Sequence, residues 1–360
     1  MSEITTNIRI KMDTQTVNLE GTTSMEPPEG TSSVYDTRSQ AVIVGSLLII
    51  IGILGFFGNL MVILAVSLCR NLQDPTHVFV VSLSISDFIT ALTLPFQGFS
   101  VLSETGWPFG SGLCKLFRAL LILTLSTSSL ILTAIAVNRY ILITKSMRLR
   151  QKIYTRSSIA IMVASLWLFP FLVMVVPQLI PATGGVRHDP GSRICSWDLG
   201  HPGYGVFQII ILAGALCCSA LIIFCYVAIM LYVRRHIRET RDRLRVSSGN
   251  INNLEASPAG PSKMQINITK NLALVVVAFF ICHLPYSLSL HSYEIQKQQY
   301  YFYLLLTLST CLNPMIYAVK HPTFKEVFKC MVYFRFHDIP QPSAWLKNIV
   351  RERNVASSRA

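Results

Sequence analysis

Seven long apolar runs dominate this 360-residue sequence. The first of them follows Arg38, and the next charged residue along the chain is Arg70. A helix needs about 20 apolar residues to cross the hydrocarbon core of a bilayer, and its backbone polar groups must be satisfied within the helix itself. We therefore predict an all-α membrane protein, a bundle of seven transmembrane helices. The predicted spans are 41–69, 78–99, 113–143, 157–180, 204–233, 265–291 and 298–319.

The composition supports a membrane protein and excludes two soluble classes. Charged residues make up 14% of the chain, against about 25% in soluble domains. Lys and Arg outnumber Asp and Glu by 31 to 18, but a nucleic-acid-binding protein would carry such an excess on a water-facing patch. The chain is half apolar, so we predict no nucleic-acid partner. With nine cysteines in 360 residues, it is also no small secreted disulfide scaffold.

The basic residues predict how the bundle is oriented. They gather after the third, fifth and seventh predicted spans, and the segments richest in Lys and Arg stay in the cytoplasm. We predict a multi-pass plasma-membrane protein with an extracellular N-terminal tail (1–40) and a seven-helix bundle (41–319). A short amphipathic helix on the membrane surface (320–333) and a cytoplasmic tail (334–360) follow.

Several polar residues lie at similar depth inside the predicted spans. Asp87 is the only acidic residue among them, and a charged residue at the centre of a transmembrane helix costs about 2.5–3.5 kcal/mol on insertion scales. Oxygen-rich side chains around it suit a small cation such as sodium. The alternative is a hydrogen-bonded cluster that only holds helices together. The residues of this polar core are Asn59, Asp87, Ser128, Ser309 and Asn313.

An ordered set of motifs identifies a family. Each motif alone is weak, but their order and spacing over residues 41–333 resemble the rhodopsin-like family of G-protein-coupled receptors. The motifs are Gly58-Asn59, Ser82-Leu83 with Asp87, Cys114, Asn138-Arg139-Tyr140, Trp167, Tyr226, Cys282-His283-Leu284-Pro285 and Asn313-Pro314-Met315-Ile316-Tyr317.

The resemblance implies a receptor with an extracellular ligand, a heterotrimeric G protein as intracellular partner, and arrestin as a further partner. It also implies a disulfide between Cys114 and Cys195, both on the oxidising side of the predicted topology. The residues implied in coupling and activation are Asn138, Arg139, Tyr140, Met147, Tyr226, Pro285, Pro314 and Tyr317.

Two departures from the family pattern concern Arg139. Asn138 stands where the family usually has an aspartate, and Gln265 stands where an acid on the sixth span usually faces the arginine. Because both charged restraints are missing, we predict ligand-free signalling above background. The Asn-Arg-Tyr form resembles that of melatonin-type and related orphan receptors, but Cys218 and Pro314 differ from the melatonin group, which leaves the subfamily open.

Two positions, one in the third predicted span and one in the seventh, exclude two ligand classes. Amine receptors carry an aspartate where this chain has Leu121, and opsins carry a lysine where it has Thr307. The remaining ligands are an acidic or apolar small molecule or a short peptide. Arg118 beside tyrosines suits an acidic headgroup, unless its guanidinium extends to the lipid headgroups. The candidate ligand-binding residues are Gln97, Arg118, Leu121, Trp197, His283, Tyr286, His291, Tyr303 and Thr307.

Two further residues have competing interpretations. His283 replaces the tryptophan usual at the cavity floor, where it either titrates with pH or packs as a neutral, hydrogen-bonded histidine. Cys330 follows an apolar helix face and is a candidate for lipidation, with an unmodified thiol as the alternative. The eight histidines show no close spacing typical of a metal site, so sodium is the only ion we expect.

Three other functional classes were weighed. A seven-helix protein that binds or scavenges a ligand without coupling to a G protein is the main alternative. A channel or transporter is disfavoured because no inverted repeat is visible. An enzyme is not expected, because the sequence contains no nucleophile–base pair, metal motif or phosphate loop.

Overall fold

The computed structural model describes residues 35, 37–73, 77–103, 106–180, 185–191, 193–197, 203–247, 263–289 and 299–348. Within these ranges, only the backbone is described for residues 204, 240–247, 263–272 and 299.

Helices account for most of the described residues. Six of them are long and apolar enough to cross a membrane. The helix in the sixth predicted span has a shorter apolar part, Ala273–Ser289. This confirms the predicted all-α membrane fold. The helices are α1 (Arg38–Leu68), α2 (His77–Leu102), α3 (Gly110–Thr144), α4 (Met147–Ile153), α5 (Arg156–Pro170), α6 (Val176–Leu179), α7 (Tyr204–Ser247), α8 (Lys263–Ser289), α9 (Gln299–Lys320) and α10 (Pro322–Val332).

The helix ends follow capping chemistry more closely than hydropathy. Thr37 precedes α1, and its side chain accepts a hydrogen bond from the backbone N–H of Gln40 at 3.3 Å. Thr155 does the same for Ser158 at the start of α5, at 3.2 Å. Such caps satisfy backbone donors that a helix leaves free at its N-terminus. As a result, α1 begins at Arg38, inside the polar segment predicted as a tail.

One span is irregular. The fourth consists of α5, a single π-helical stretch over Phe171–Val175, and α6. Pro170 lies at the end of α5 and Pro177 within α6. Proline removes a backbone donor and widens the local hydrogen-bond pattern. The π-helical stretch turns Met174 and Val175 inward, where both are buried.

Helices α1 and α2 approach each other closely at small residues. A Cβ atom added to Gly98 would lie 2.6 Å from the carbonyl oxygen of Gly45 and 2.7 Å from Ile49 Cγ1. A Cβ atom added to Gly52 would lie 2.8 Å from Pro95 Cδ. Close backbone approach at small residues is how membrane helices gain packing without a hydrophobic driving force.

We expect Gly98→Val to destabilise the bundle by about 1–3 kcal/mol, because its side chain has no space between α1 and α2. Thermal unfolding of the purified protein in detergent measures the change. Gly112→Val is the matched control, since a Cβ atom at Gly112 meets nothing within 4 Å. An unchanged melting temperature for Gly98→Val would show that the two helices are not in close contact.

A β-hairpin covers one end of the bundle, here called the hairpin end. Strand β1 (Val186–Asp189) pairs with the antiparallel strand β2 (Ile194–Trp197). A disulfide between Cys114 and Cys195, with Cα atoms 5.4 Å apart, joins β2 to the start of α3 and confirms the predicted pairing. Ser100 Oγ also donates a hydrogen bond to the carbonyl of Arg193 at 2.5 Å. The hairpin was not predicted from the sequence, because its strands are only four residues long.

The opposite end, here called the α10 end, includes a returning segment. After α10 the chain turns back, and Ile339 and Leu346 are buried with the helix cluster. The N–H of Arg70 donates to the carbonyl of Gln341 at 2.9 Å, and the N–H of Ser343 donates to the carbonyl of Leu68 at 2.8 Å. Part of the predicted C-terminal tail therefore packs against the α1–α2 connection.

Candidate ligand cavity and signalling core

A cavity lies between α3, α5, α7, α8 and α9. Its volume is about 1170 Å³ when its open side is included. Five of the candidate ligand-binding residues line it, which are Arg118, Leu121, His283, Tyr286 and Tyr303. The structure therefore brings together residues from three separate predicted spans.

The other candidate residues have different surroundings. Gln97 is buried, and its side-chain oxygen lies 3.5 Å from the backbone nitrogen of Cys195, so it contacts the hairpin. Trp197 stacks on Phe207 with ring centroids 4.1 Å apart. Thr307 is buried and donates to the carbonyl of Leu304 at 3.0 Å. None of these three lines the cavity, and His291 lies outside the described residues.

The cavity wall around Arg118 and Tyr303 carries polar atoms without hydrogen-bond partners. Among the described residues, Arg118 Nε and the Tyr303 hydroxyl are buried and accept or donate no hydrogen bond. Tyr303 is only 3% exposed, and its ring centroid lies 6.2 Å from that of Tyr286. The Arg118 charge also acts on Tyr303 electrostatically. Because buried polar groups in proteins are nearly always paired, this arrangement is typical of a site completed by a ligand.

His283 lies deeper in the cavity wall. Its Nε2 atom is 3.2 Å from Ser309 Oγ, and its ring stacks on Phe279 at 3.6 Å between centroids. Ser309 Oγ donates to the carbonyl of Leu306 at 2.7 Å. Since that hydroxyl proton is engaged, Nε2–H is assigned as the donor to Ser309. Because the neutral ring and the protonated ring can both donate from Nε2, the neutral, hydrogen-bonded histidine stays a prediction.

The sequence analysis missed part of the cavity wall. Ser126 and Ser129 also line it, and they follow Arg118 and Ile122 along one face of α3. Spacings of three and four residues place side chains on the same helix face, so this signal was present in the sequence. Met174 lines the cavity through the π-helical stretch, for which the sequence offered no clear signal.

The predicted polar core is only partly assembled around Asp87. Ser128 Oγ donates to one carboxylate oxygen of Asp87 at 3.3 Å, and Asn313 Nδ2 donates to the other at 2.7 Å. Asn59 Nδ2 instead donates to the carbonyls of Gly55 at 2.9 Å and Thr310 at 2.8 Å. Ser309 contacts His283, as described above. The core therefore consists of a triad at Asp87 with Asn59 and Ser309 in adjacent contacts.

Arg139 is buried at the α10 end, with 5% of its surface exposed. Its charge acts on the hydroxyls of Tyr154, Tyr226 and Tyr317. Tyr154 lies outside the spans, where burial raises its pKa to about 12 and Arg139 opposes that rise. The guanidinium thus influences tyrosines contributed by different segments of the chain.

His321 lies between α9 and α10, where the charge of Arg139 acts on it. Burial, helped by the neighbouring His77 and Arg139, lowers the pKa of His321 to about 4. At pH 7 the ring is therefore neutral. It packs at 5.0 Å from the ring of Phe324, which in turn stacks on Tyr317 at 5.3 Å.

The remaining residues implied in coupling occupy different environments. Asn138 is buried, and its Oδ1 atom has no hydrogen-bond partner among the described residues. Tyr140 packs 6.0 Å from Phe224, and Met147 is 59% exposed at the start of α4. The Gln265 side chain lies outside the described part of α8. Pro285 and Pro314 lie inside α8 and α9, which both continue beyond them.

Cys330 is half-buried near the end of α10. Phe324, Val327 and Phe328 of the same helix face the bundle and are buried. Burial raises the pKa of the Cys330 thiol, and its lipidation stays a prediction. Within the described residues, no group of three or more His, Cys, Asp or Glu side chains is arranged to hold a metal ion.

Comparison with known proteins identifies the family. Residues 58–317 match the model of the 7 transmembrane receptor (rhodopsin family). The chain is 27% identical to the G-protein coupled receptor moody of Drosophila pseudoobscura pseudoobscura over 97% of its own length, and it spans 59% of that receptor. It is 30% identical to galanin receptor 2b of Danio rerio, covering 84% of this chain and 79% of the relative.

A solved structure shares the fold. The crystal structure of squid rhodopsin superposes with a TM-score of 0.70 at 22% sequence identity, covering 84% of this chain and 88% of the other. The family match extends over most of the bundle, from the Gly58-Asn59 motif to Tyr317. The chain therefore belongs to the rhodopsin family of seven-transmembrane receptors, a family of receptors and not of enzymes.

Proposed function

We propose that this chain is a plasma-membrane receptor that binds an acidic small molecule in the cavity and activates a heterotrimeric G protein at the α10 end. The observation that carries the ligand class is the pair of buried, unpartnered polar atoms, Arg118 Nε and the Tyr303 hydroxyl. A carboxylate, sulfate or phosphate would accept hydrogen bonds from both groups. Arginine is the side chain best suited to such planar or branched anions.

Other ligand classes receive less support from this cavity. Residue 121 is Leu121, which is buried and offers no charge to a ligand ammonium. Thr307 donates to its own helix backbone and provides no amine for retinal. A peptide would need many polar contacts, but most of the described cavity wall is apolar. We therefore favour a small acid over a peptide or an aminergic or retinal ligand.

The proposed topology places the hairpin end outside the cell and the α10 end in the cytoplasm. Two features support it. The disulfide at the hairpin end fits an oxidising compartment. The basic extension of α7, from Arg234 to Arg245, fits the cytoplasmic side.

The proposed mechanism is a shift between two arrangements of the helix bundle. A ligand favours one arrangement only to the extent that it binds that arrangement more tightly. Pro285 and Pro314 interrupt helical hydrogen bonding and supply points at which α8 and α9 can bend. In the described arrangement Arg139 is buried among tyrosines. Outward movement of α8 would release it toward the G protein, and arrestin would compete for the same end.

We also propose sodium as an allosteric ion at Asp87. The residues fit a small cation because the Asp87 carboxylate and Ser128 provide oxygen ligands. Asn59 Oδ1 is also buried, and it has no hydrogen-bond partner among the described residues. A bound cation would offset the negative charge of Asp87 inside the membrane.

We expect small acids to stabilise the receptor more than amines with the same carbon skeleton. Benzoate and hexanoate are compared with benzylamine and hexylamine by thermal unfolding of the protein in nanodiscs. A ligand at one hundred times its Kd stabilises the folded state by about 2.7 kcal/mol. Arg118→Leu is expected to weaken acid binding at least about tenfold, because a charge-assisted hydrogen bond is lost.

Lys115→Leu is the matched control, since Lys115 is exposed one turn away on the same helix and does not line the cavity. It is expected to leave acid binding unchanged. Equal stabilisation by acids and amines, or equal loss in both variants, would contradict an acidic ligand at this site.

A further inference from the structure

The cavity is elongated along α3. Its lining runs from Arg118 to Ser129 on one face of that helix, a distance of about 16 Å at the helical rise per residue. The polar atoms without partners lie at the Arg118 end. The rest of the wall is mainly apolar, with Leu125, Ile222 and Phe279 among its residues. A ligand that fills the whole cavity would therefore have one acidic end and a long apolar body.

The cavity reaches the outer surface of the bundle in the gap between α5 and α7. Phe169 of α5 lines the cavity and is 57% exposed. Gly214 of α7 lines it too, is exposed, and has nothing within 4 Å of an added Cβ atom. Helix α3 packs against both α5 and α7, whereas these two make few contacts with each other. Both residues lie in predicted spans, so this opening faces lipid.

The described residues at the hairpin end pack more tightly. Trp197 and Phe207 are both buried, stack on each other, and contact Ile122 and Met174 of the cavity wall. Tyr35 is 7% exposed and packs against Tyr300 at 5.1 Å between ring centroids. Together with Leu121 and Tyr303 these two tyrosines form another cluster. Among the described residues of the cavity wall, Phe169 of α5, Gly214 of α7 and Leu284 of α8 are exposed, and two of these three flank the gap between α5 and α7.

We propose that the ligand is a single-chain acidic amphiphile that reaches the cavity from the bilayer, through the opening between α5 and α7. Its acidic head binds Arg118 and Tyr303, and its alkyl chain lies along α3 toward Ser129. An amphiphile of this kind concentrates in the membrane because each buried methylene favours transfer from water. This inference rests on the acidic site of the proposed function and adds the ligand's shape and its route.

The test uses dodecanoate as the probe, with the full-length protein in nanodiscs. Gly214→Trp places a large side chain in the opening, and we expect it to slow dodecanoate association at least tenfold. Gly205→Trp is the matched control, because Gly205 is on the same helix, is exposed, and has nothing within 4 Å of an added Cβ atom. It is expected to leave the association rate unchanged. The equilibrium affinity for butanoate, a short acid with the same carboxylate head, shows whether the acidic site is folded in each variant.

A second readout locates the alkyl chain directly. Dodecanoate carrying a photoreactive diazirine at its terminal carbon is expected to label the peptides around Phe169 and Gly214. Labelling confined to the hairpin, with an unchanged association rate in Gly214→Trp, would overturn the route from the bilayer. If Arg118→Leu still abolishes binding in that case, the acidic site stands and only this inference fails. If Arg118→Leu has no effect on either acid, the proposed ligand class fails as well.

Discussion

Ligand-free G-protein activation is expected to fall to the level of empty cells when Arg139 is replaced by alanine. Arg139 is the only lysine or arginine buried at the α10 end among the described residues, and the charge of its guanidinium acts on three tyrosines from separate segments. Alanine removes the group that would bridge to the G protein in the open arrangement. The measurement is nucleotide exchange on each class of heterotrimeric G protein in cells, at matched surface expression.

Asn138→Asp provides the companion variant. It restores a carboxylate beside Arg139, which favours the closed arrangement by charge attraction. A preference of roughly 1 kcal/mol would lower ligand-free signalling about fivefold. Equal signals from wild type, Asn138→Asp and empty cells would contradict ligand-free activity. Full signalling by Arg139→Ala would contradict the coupling role of this residue.

The same measurement separates a coupled receptor from a seven-helix protein that only binds or clears its ligand. A non-coupling protein would bind acids through Arg118 and yet activate no G protein with or without them. The acid-binding experiment and the coupling experiment use opposite ends of the bundle. The two outcomes therefore test acid binding and G-protein coupling separately.

The second large effect is expected from breaking the disulfide between Cys114 and Cys195. This bond closes a loop with a sequence separation of 81 residues, and removal of a native disulfide typically costs about 2–5 kcal/mol. We expect Cys195→Ser to lower the melting temperature, reduce surface expression, and weaken acid binding by freeing the hairpin. Thermal unfolding under non-reducing conditions measures the first of these.

Cys217→Ser is the control, because Cys217 is a free, exposed cysteine on α7. It is expected to behave like wild type. The hairpin also has non-covalent contacts, such as those of Ser100 and Gln97. If these alone hold it, Cys195→Ser will retain wild-type melting and binding, and the disulfide will be shown to add little.

The fold was largely readable from the sequence because hydropathy along the chain is a local property. The uncharged run from Arg38 to Arg70 predicted a span without reference to any other residue. The hairpin was not readable in this way. Its strands are short, and their pairing depends on a covalent link to α3 and on contacts with α2. The return of Ile339 and Leu346 to the bundle was equally hidden, because the chain after residue 333 contains no long apolar run.

The site shows the same division more sharply. Arg118 and Tyr303 were chosen for their chemistry and do line one cavity, but Gln97 and Thr307 turn toward helix and hairpin backbone instead. Depth in a span can be counted from the sequence, whereas the rotation of each helix about its axis cannot. Tyr303 and Thr307, for example, share one face of α9 by their spacing of four residues, yet Tyr303 lines the cavity whereas the Thr307 hydroxyl donates to the carbonyl of Leu304.

The sequence alone therefore determined the number of spans, the family and the residues capable of binding an acid. Each depends on composition and spacing along one dimension. Tertiary structure decided which of these residues share a cavity, that Ser309 contacts His283 while Ser128 and Asn313 contact Asp87, and that the cavity opens between α5 and α7. Those outcomes depend on how helices far apart in sequence pack, because packing sets which faces meet and which polar groups find partners.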